Sequence, residues 1–254
     1  MKVTFLGTGT SQGVPVIACT CEVCKSDNSK DQRLRASVLI ELENQTIVID
    51  TGPDFRQQML MNQVENLDAV VFTHGHKDHT AGFDDIRGFN YKQKRAMDVY
   101  VDHQVEEVLR RDFYYCFTDF KYPGVPELNL HIIDEQEFQI GGTSIIPISL
   151  MHYKLPVFGY RIGDFTYITD ANYISEEEKN KVRGSKVLVI NALKKSSHIS
   201  HFSLSEAIEL AKELEIPTTY LTHMSHQMGL HEDVQAELPE GVYLSYDGLK
   251  IELD

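Results

Sequence analysis

No apolar run in the chain approaches the ~20 consecutive residues that a bilayer-crossing helix needs, so the sequence offers no candidate membrane span. Its start, Met1-Lys2-Val3-Thr4-Phe5-Leu6, enters a strand without the pattern of a cleavable signal, and a cytoplasmic protein is expected. Basic residues are scarce. Against 38 Asp and Glu stand 24 Lys and Arg, a net charge of −14, which speaks against an extended contact with a nucleic-acid backbone. No Gly- and Pro-rich basic arm, internal repeat, low-complexity segment or disordered linker interrupts the 254 residues. They read as one domain, 1–254, whose 42% hydrophobic and 24% charged content is ordinary for a globular protein with a large core. Cysteine is also rare at four, yet three of the four fall within Cys19-Thr20-Cys21-Glu22-Val23-Cys24.

What is present is concentrated. The segment Thr73-His74-Gly75-His76-Lys77-Asp78-His79-Thr80-Ala81-Gly82 puts three imidazoles and a carboxylate into six residues, directly after the apolar run Ala69-Val70-Val71-Phe72. Imidazole nitrogen and carboxylate oxygen both suit zinc, and a tight loop leaving a buried strand can hold several ligands at fixed angles. The crowded thiols suit a second, thiolate site. A closed structural zinc takes four ligands, so a fourth must come from elsewhere in the fold. His226, three residues beyond His223 in His223-Met224-Ser225-His226, is the expected donor. A disulfide is the weaker reading, because three clustered cysteines leave a thiol over and no signal peptide is seen. Cys116, alone in Phe113-Tyr114-Tyr115-Cys116-Phe117, reads as a small buried hydrophobe.

His-x-His-x-Asp-His resembles the signature of the metallo-β-lactamase superfamily, and further residues extend the resemblance. They are His152 ending Ser149-Leu150-Met151-His152, Asp170 ending Phe165-Thr166-Tyr167-Ile168-Thr169-Asp170, and His223 ending Thr219-Tyr220-Leu221-Thr222-His223. By that resemblance His74, His76 and His152 hold one metal, Asp78, His79 and His223 the other, and Asp170 bridges them. The opening Phe5-Leu6-Gly7-Thr8-Gly9-Thr10-Ser11-Gln12-Gly13-Val14-Pro15, followed by the three cysteines, is similar to phosphodiesterases that open phosphoribosyl 1,2-cyclic phosphate in the carbon-phosphorus lyase pathway. The resemblance implies an α+β fold, the four-layer αββα sandwich with metals at one edge. It also implies two catalytic zinc ions, replaceable by manganese or iron, and one structural zinc on Cys19, Cys21, Cys24 and His226.

Such a centre implies a small anionic phosphodiester as substrate, attacked by a hydroxide activated between the metals while the same metals hold the phosphoryl oxygens. His201, just before a helix start in Ser200-His201-Phe202-Ser203, matches the histidine that related phosphodiesterases place beside the leaving group; His198 competes for that role. Three other readings remain open. The same di-zinc centre serves hydrolases of carboxylic esters, thioesters, lactams or lactones, and the tRNA 3′-processing nucleases are related; a non-catalytic role of the kind associated with pyrroloquinoline quinone biosynthesis is the third, though such a protein could lack complete ligands and this chain has them all.

Periodicity predicts strands at Lys2–Leu6, Ser37–Leu42, Thr46–Ile49, Asp68–Phe72 and Asp98–Val101, with helices at Pro53–Asn62 and His103–Arg111. A second half is expected to begin near Asn129, with strands at Leu130–Ile133, Ser144–Leu150, Gly159–Ile162, Phe165–Thr169, Lys186–Ile190 and Thr218–Thr222 forming the other sheet. Ser203-Leu204-Ser205-Glu206 has capping-box spacing ahead of an apolar helical face. Gly248 suggests a closing hairpin between Val242–Tyr246 and Leu249–Leu253. Asp50 is expected to orient a metal-bound histidine. The aromatic tract Phe113 to Tyr122 reads as core, a cleft cover or a homodimer contact. His103, His131 and His231 read as structural, and Lys194-Lys195 as a solvated face.

Overall fold

In the computed structural model, which describes residues 1–120 and 122–253, successive side chains of most strands point into two different cores. The strands are β1 (Lys2–Gly7), β2 (Ser37–Glu41), β3 (Thr46–Ile49), β4 (Ala69–Val71), β5 (Met97–Val101), β6 (Leu128–Ile132), β7 (Phe138–Ile140), β8 (Thr143–His152), β9 (Leu155–Ile162), β10 (Phe165–Ile168), β11 (Tyr173–Ile174), β12 (Val187–Asn191), β13 (Thr218–Thr222), β14 (Val242–Leu244) and β15 (Lys250–Glu252). They form a seven-stranded sheet in the order β15-β1-β2-β3-β4-β5-β6, and a second sheet ordered β11-β8-β9-β10-β12-β13-β14 with β7 attached to β8.

Alternation places the two sheets face to face. Val3, Phe5, Val38, Ile40, Ile47 and Ile49 of the first sheet meet Ile145, Tyr160, Ile162, Phe165, Tyr167 and Val189 of the second. Intervening residues such as Leu6, Leu39, Val48 and Val70 turn outward beneath α1 (Phe55–Met61), α3 (Arg87–Gln93) and α4 (His103–Asp112), and the one-turn α2 (Lys77–Thr80) precedes α3 in the chain. On the far side, Leu188, Ile190 and Leu221 carry α5 (Glu176–Val182), α6 (Leu204–Glu213) and α7 (His231–Glu237). Each fully buried aliphatic or aromatic side chain contributes roughly 1.5–3 kcal/mol, and the inner layer and both helix-covered faces share that burial. The layering is the expected αββα sandwich.

Two expectations about topology fail. The strand near Asn129 pairs parallel with β5 and ends the first sheet, so the second sheet begins only after it. A helix-bearing crossover after β5, carried by α4, returns the chain alongside it in parallel, which strand periodicity does not register. The closing hairpin also does not form. β14 lies parallel to β13 in the second sheet, while β15 runs antiparallel to β1 in the first. The turn between them passes from one sheet to the other. Asp247 anchors it by accepting the Leu34 N–H at 2.6 Å and the Thr8 hydroxyl at 2.7 Å.

β7, β11, α2, α3, α5 and α7 were not expected. α5 carried a readable signal in Ser175-x-x-Glu178, whose Ser175 hydroxyl accepts the Glu178 N–H. α6 starts with the predicted capping box on Ser203 and Glu206. In the aromatic tract Phe113 and Cys116 are buried while Tyr114, Phe120 and Tyr122 are exposed; Lys121 and the terminal Asp254 lie outside the described residues. His103 lies exposed on α4 beside Glu106, His131 stacks on Tyr100, and Lys195 pairs with Glu237. No helix among the described residues is long and apolar enough to cross a membrane.

Candidate metal centre

The His-rich loop is fixed from both sheets. Beyond β4, the Phe72 carbonyl accepts the Tyr160 hydroxyl at 2.5 Å and the Thr73 carbonyl accepts the Phe158 N–H at 3.0 Å, both from β9. The one-turn α2, opened by His76, then lies against the end of β3. There Thr51 donates to the His79 carbonyl at 2.8 Å and Gly82 donates to the Thr51 carbonyl at 2.9 Å. Any Cβ on Gly52 would stand 2.2 Å from the Asp78 carbonyl, so only glycine lets these backbones approach.

Asp50 is fully buried at the end of β3 and accepts three hydrogen bonds, from the Thr73 N–H and hydroxyl at 2.8 Å each and from His79 Nδ1–H at 2.7 Å. The histidine that Asp50 orients is therefore His79, whose Nε2 is left facing inward. His152 is set the same way: its Nδ1–H donates to the Ser200 carbonyl at 2.8 Å.

Donor atoms converge on the space these rings face. His74 Nε2 lies 3.0 Å from His76 Nδ1. Asp170 Oδ1 lies 2.9 Å from His223 Nε2 and 3.4 Å from His79 Nε2, and its Oδ2 lies 3.7 Å from His74 Nε2. Asp78 Oδ2 is 3.2 Å from His79 Nε2 and 3.8 Å from His223 Nε2. Asp78, His79, Asp170 and His223 thus form one group and His74, His76 and Asp170 another, with Asp170 common to both. His152 joins through Asp170 and His201 rather than directly through His74 and His76. Three residues here hold left-handed backbone within two positions of a strand end: Asp50 (φ 66°), Asp170 (φ 54°) and His223 (φ 56°). Such conformations cost on the order of 1 kcal/mol or more and persist where the surroundings over-determine them, which occurs often at functional sites.

The residues present fit a metal. Ligands about 2.0–2.2 Å from one ion stand roughly 3–3.5 Å apart, and the separations above run from 2.9 to 3.8 Å around that range. No hydrogen bond satisfies the buried His79 Nε2 or His223 Nε2. Electrostatics agree. Burial opposes charge on Asp170, but His223 and His79 hold its carboxyl well below the usual value, and His79 and His223 likewise overcome burial to lower Asp78. Burial is also outweighed at His79, which Asp170, Asp50 and Asp78 raise well above an ordinary imidazole, and at His223, which Asp170 lifts to about 9. The carboxylates demand positive charge at these rings, and a divalent cation can supply it with the imidazoles neutral.

His201 is 8% exposed and packs its ring on His152 at 4.6 Å and His223 at 4.9 Å. Burial and the His223 imidazole push its pKa down to about 3. His198 is exposed, with its ring 5.3 Å from that of His201. At the far end of the His223–His226 segment, Cys19, Cys21 and Cys24 hold their sulfurs 3.3, 3.3 and 3.5 Å from His226 Nδ1. A tetrahedral zinc with bonds of about 2.3 Å to sulfur and 2.05 Å to nitrogen would place such atoms roughly 3.6 Å apart, so this set also fits.

The family described as "Beta-lactamase superfamily domain" matches residues 45–224, the stretch that holds all seven converging donors and His201. The chain belongs to the β-lactamase superfamily. A structure described as a new diphosphatase from the PhnP family is 35% identical with a TM-score of 0.93, covering 100% of this chain and 98% of that one. Zinc-bound PqqB from Methylobacterium extorquens, 19% identical, shares the fold at a TM-score of 0.78 over 100% of both chains. A Porphyromonas gingivalis protein named octanoyltransferase is 37% identical over 257 residues, which is 100% of this chain and 52% of that protein. The chain thus spans about half the length of that relative. Membership places it in a hydrolase superfamily whose fold implies divalent-metal binding, and the donors for it are present. Sequence reasoning missed Thr73, Asn172 and the Ser200 carbonyl. Thr73 and Ser200 adjoin His74 and His201 in sequence, but that Thr73 donates to Asp50, that the Ser200 carbonyl accepts from His152 and that Asn172 bonds Tyr153 and Ile199 is decided by the fold.

Proposed function

We propose that the chain is a metal-dependent phosphodiesterase acting on a small anionic phosphodiester. The observation that carries the reading is the convergence of donors from both sheets with His201 packed between His152 and His223. The same two-sided construction supports treating 1–254 as one hydrolase unit. His74, His76 and His152 would hold one ion, Asp78, His79 and His223 a second, with Asp170 between them; Cys19, Cys21, Cys24 and His226 would hold a structural zinc. Zinc suits the catalytic donors, and manganese or iron are admissible alternatives. A bound divalent pair supplies an activated water as attacking group and positive charge beside the phosphoryl oxygens.

The chain's own residues do the rest. Asp50 holds His79, and the Ser200 carbonyl holds His152, each in one ring orientation. Asp78 and Asp170 set the charge of the centre. His201 hands a proton to the leaving oxygen. Burial and the His223 imidazole hold that ring neutral in the bare site, and a substrate anion beside it would favour its protonated form.

Two relatives define the alternatives. The PhnP-family structure described as a diphosphatase makes a phosphoric anhydride the nearest rival bond, and the protein named octanoyltransferase keeps acyl thioesters in view. Protein purified without chelator should carry about three metals per chain, two in the catalytic pair and one in the thiolate site. It should cleave bis-p-nitrophenyl phosphate or a cyclic phosphodiester faster than a diphosphate or an octanoyl thioester. Preference for the thioester would overturn the reading, and a metal content at or below one would overturn the metal assignment.

A further inference from the structure

Resting on that phosphodiesterase reading, we propose that Tyr153, with Lys154, is an aromatic platform on the leaving-group side of the site. It recognises substrates whose leaving group carries a flat heteroaromatic ring. β8 and β9 are joined by a two-residue turn, with His152 paired to Leu155 across it. Tyr153, the first turn residue, has φ 57°. In two-residue hairpins with positive φ at that place, glycine is the usual occupant, and a bulky side chain there is strained. The fold gains nothing from this ring in its core: Tyr153 is 50% exposed, and its ring is met by the Lys154 ammonium at 5.3 Å from the centroid.

The turn is locked in place beside the proton-donor segment. Asn172 accepts the Tyr153 N–H at 2.7 Å and donates to the Ile199 carbonyl at 3.2 Å, while His152 donates to the adjacent Ser200 carbonyl at 2.8 Å. Tyr153 therefore follows one donor of the cluster directly, and Ile199, 66% exposed, lies two residues before His201. The backbones that carry this exposed aromatic ring and this exposed aliphatic side chain are thus tied to the segments of His152 and His201, and on the proposal they face the departing group, with Lys154 for a neighbouring anion. A π-face stacks on any flat base, and the lysine adds attraction for negative charge.

The test is calorimetric binding of two probes to the zinc-loaded protein: adenosine 5′-monophosphate, which has the ring, and ribose 5-phosphate, which lacks it. The wild type should bind the nucleotide about tenfold more tightly, within the range for stacking a base on an aromatic side chain. Tyr153→Gly should lose that tenfold for the nucleotide and leave ribose 5-phosphate unchanged. Its melting temperature should not fall, since glycine accepts the backbone without strain. Tyr153→Phe should keep the preference. Equal affinities in the wild type, no measurable nucleotide binding, or a Tyr153→Gly loss shared by both probes would each overturn the proposal. Binding is read without turnover, so the platform can stand while the phosphodiesterase reading falls, and the reverse.

Discussion

Asp50 is bonded to His79 and His201 packs on His152 and His223, and single substitutions separate the roles proposed for them. His201→Ala should slow a phosphodiester with an alkyl leaving group by roughly 10²–10⁴-fold, the usual worth of a positioned acid, because a basic alkoxide cannot leave without a proton. For bis-p-nitrophenyl phosphate the loss should shrink towards nothing. Equal losses on both substrates at unchanged metal content would make His201 a positioning residue. Asp50→Ala should act through the ligands instead. It leaves His79 Nδ1 and the Thr73 N–H without an acceptor in a fully buried place, and metal affinity should fall roughly 10–100-fold. Competition with a chromophoric chelator measures this; unchanged affinity would show that His79 keeps its orientation without Asp50.

At the level of elements, two short segments outside the regular sheets are brought together. The 3-10 turn Val23–Lys25 meets the 3-10 turn His226–Met228 through the three sulfurs and His226. If that site is a closed zinc, its binding free energy is also folding free energy. Cys24→Ser should then cost on the order of 3 kcal/mol, which at ~2–4 °C per kcal/mol lowers the melting temperature by roughly 6–12 °C. Single-turnover rates should change little. An unchanged melt with abolished turnover would move these cysteines into the active site.

Across the whole molecule, a buried polar network ties the start of the chain to its end. Arg33 donates to the Thr8 hydroxyl at 2.8 Å, the Ser245 carbonyl at 2.7 Å and His231 Nδ1 at 3.2 Å. Arginine can only donate, so that nitrogen must carry no proton. Burial and Arg33 accordingly lower His231 from 6.5 to about 4. Between those values the unfolded chain takes up a proton that the folded one refuses. The contribution of neutral His231 is therefore complete above pH 6.5 and lost as pH falls towards 4. Against His231→Gln, whose amide oxygen can still accept from Arg33, the wild type should lose relative stability between pH 6.5 and 4.5 and hold it steady from 6.5 to 7.5. Paired thermal melts cancel any pH effect on the metal sites, and parallel curves would refute the assignment.

His74, His76, Asp78 and His79 were legible as a ligand cluster because they are adjacent in sequence and imidazoles at that density have few other uses. The apolar alternation of β1 to β4 was legible for the same reason: one residue's neighbours carry the pattern. His152, Asp170 and His223 stood out only through family resemblance, as single residues after strands. Pairing defeated sequence reading at Leu128–Ile132 and at β14 and β15, since a strand's own residues do not state its partner, and the Asp247 anchors that carry the chain between sheets lie 213 and 239 positions away. Which histidine Asp50 would serve was likewise a tertiary matter. It waited on the turn of α2 that brings His79 Nδ1 over the end of β3. Ligand types and elements follow from local chemistry, whereas register, sheet membership and ring orientation follow from contacts that only the folded chain makes.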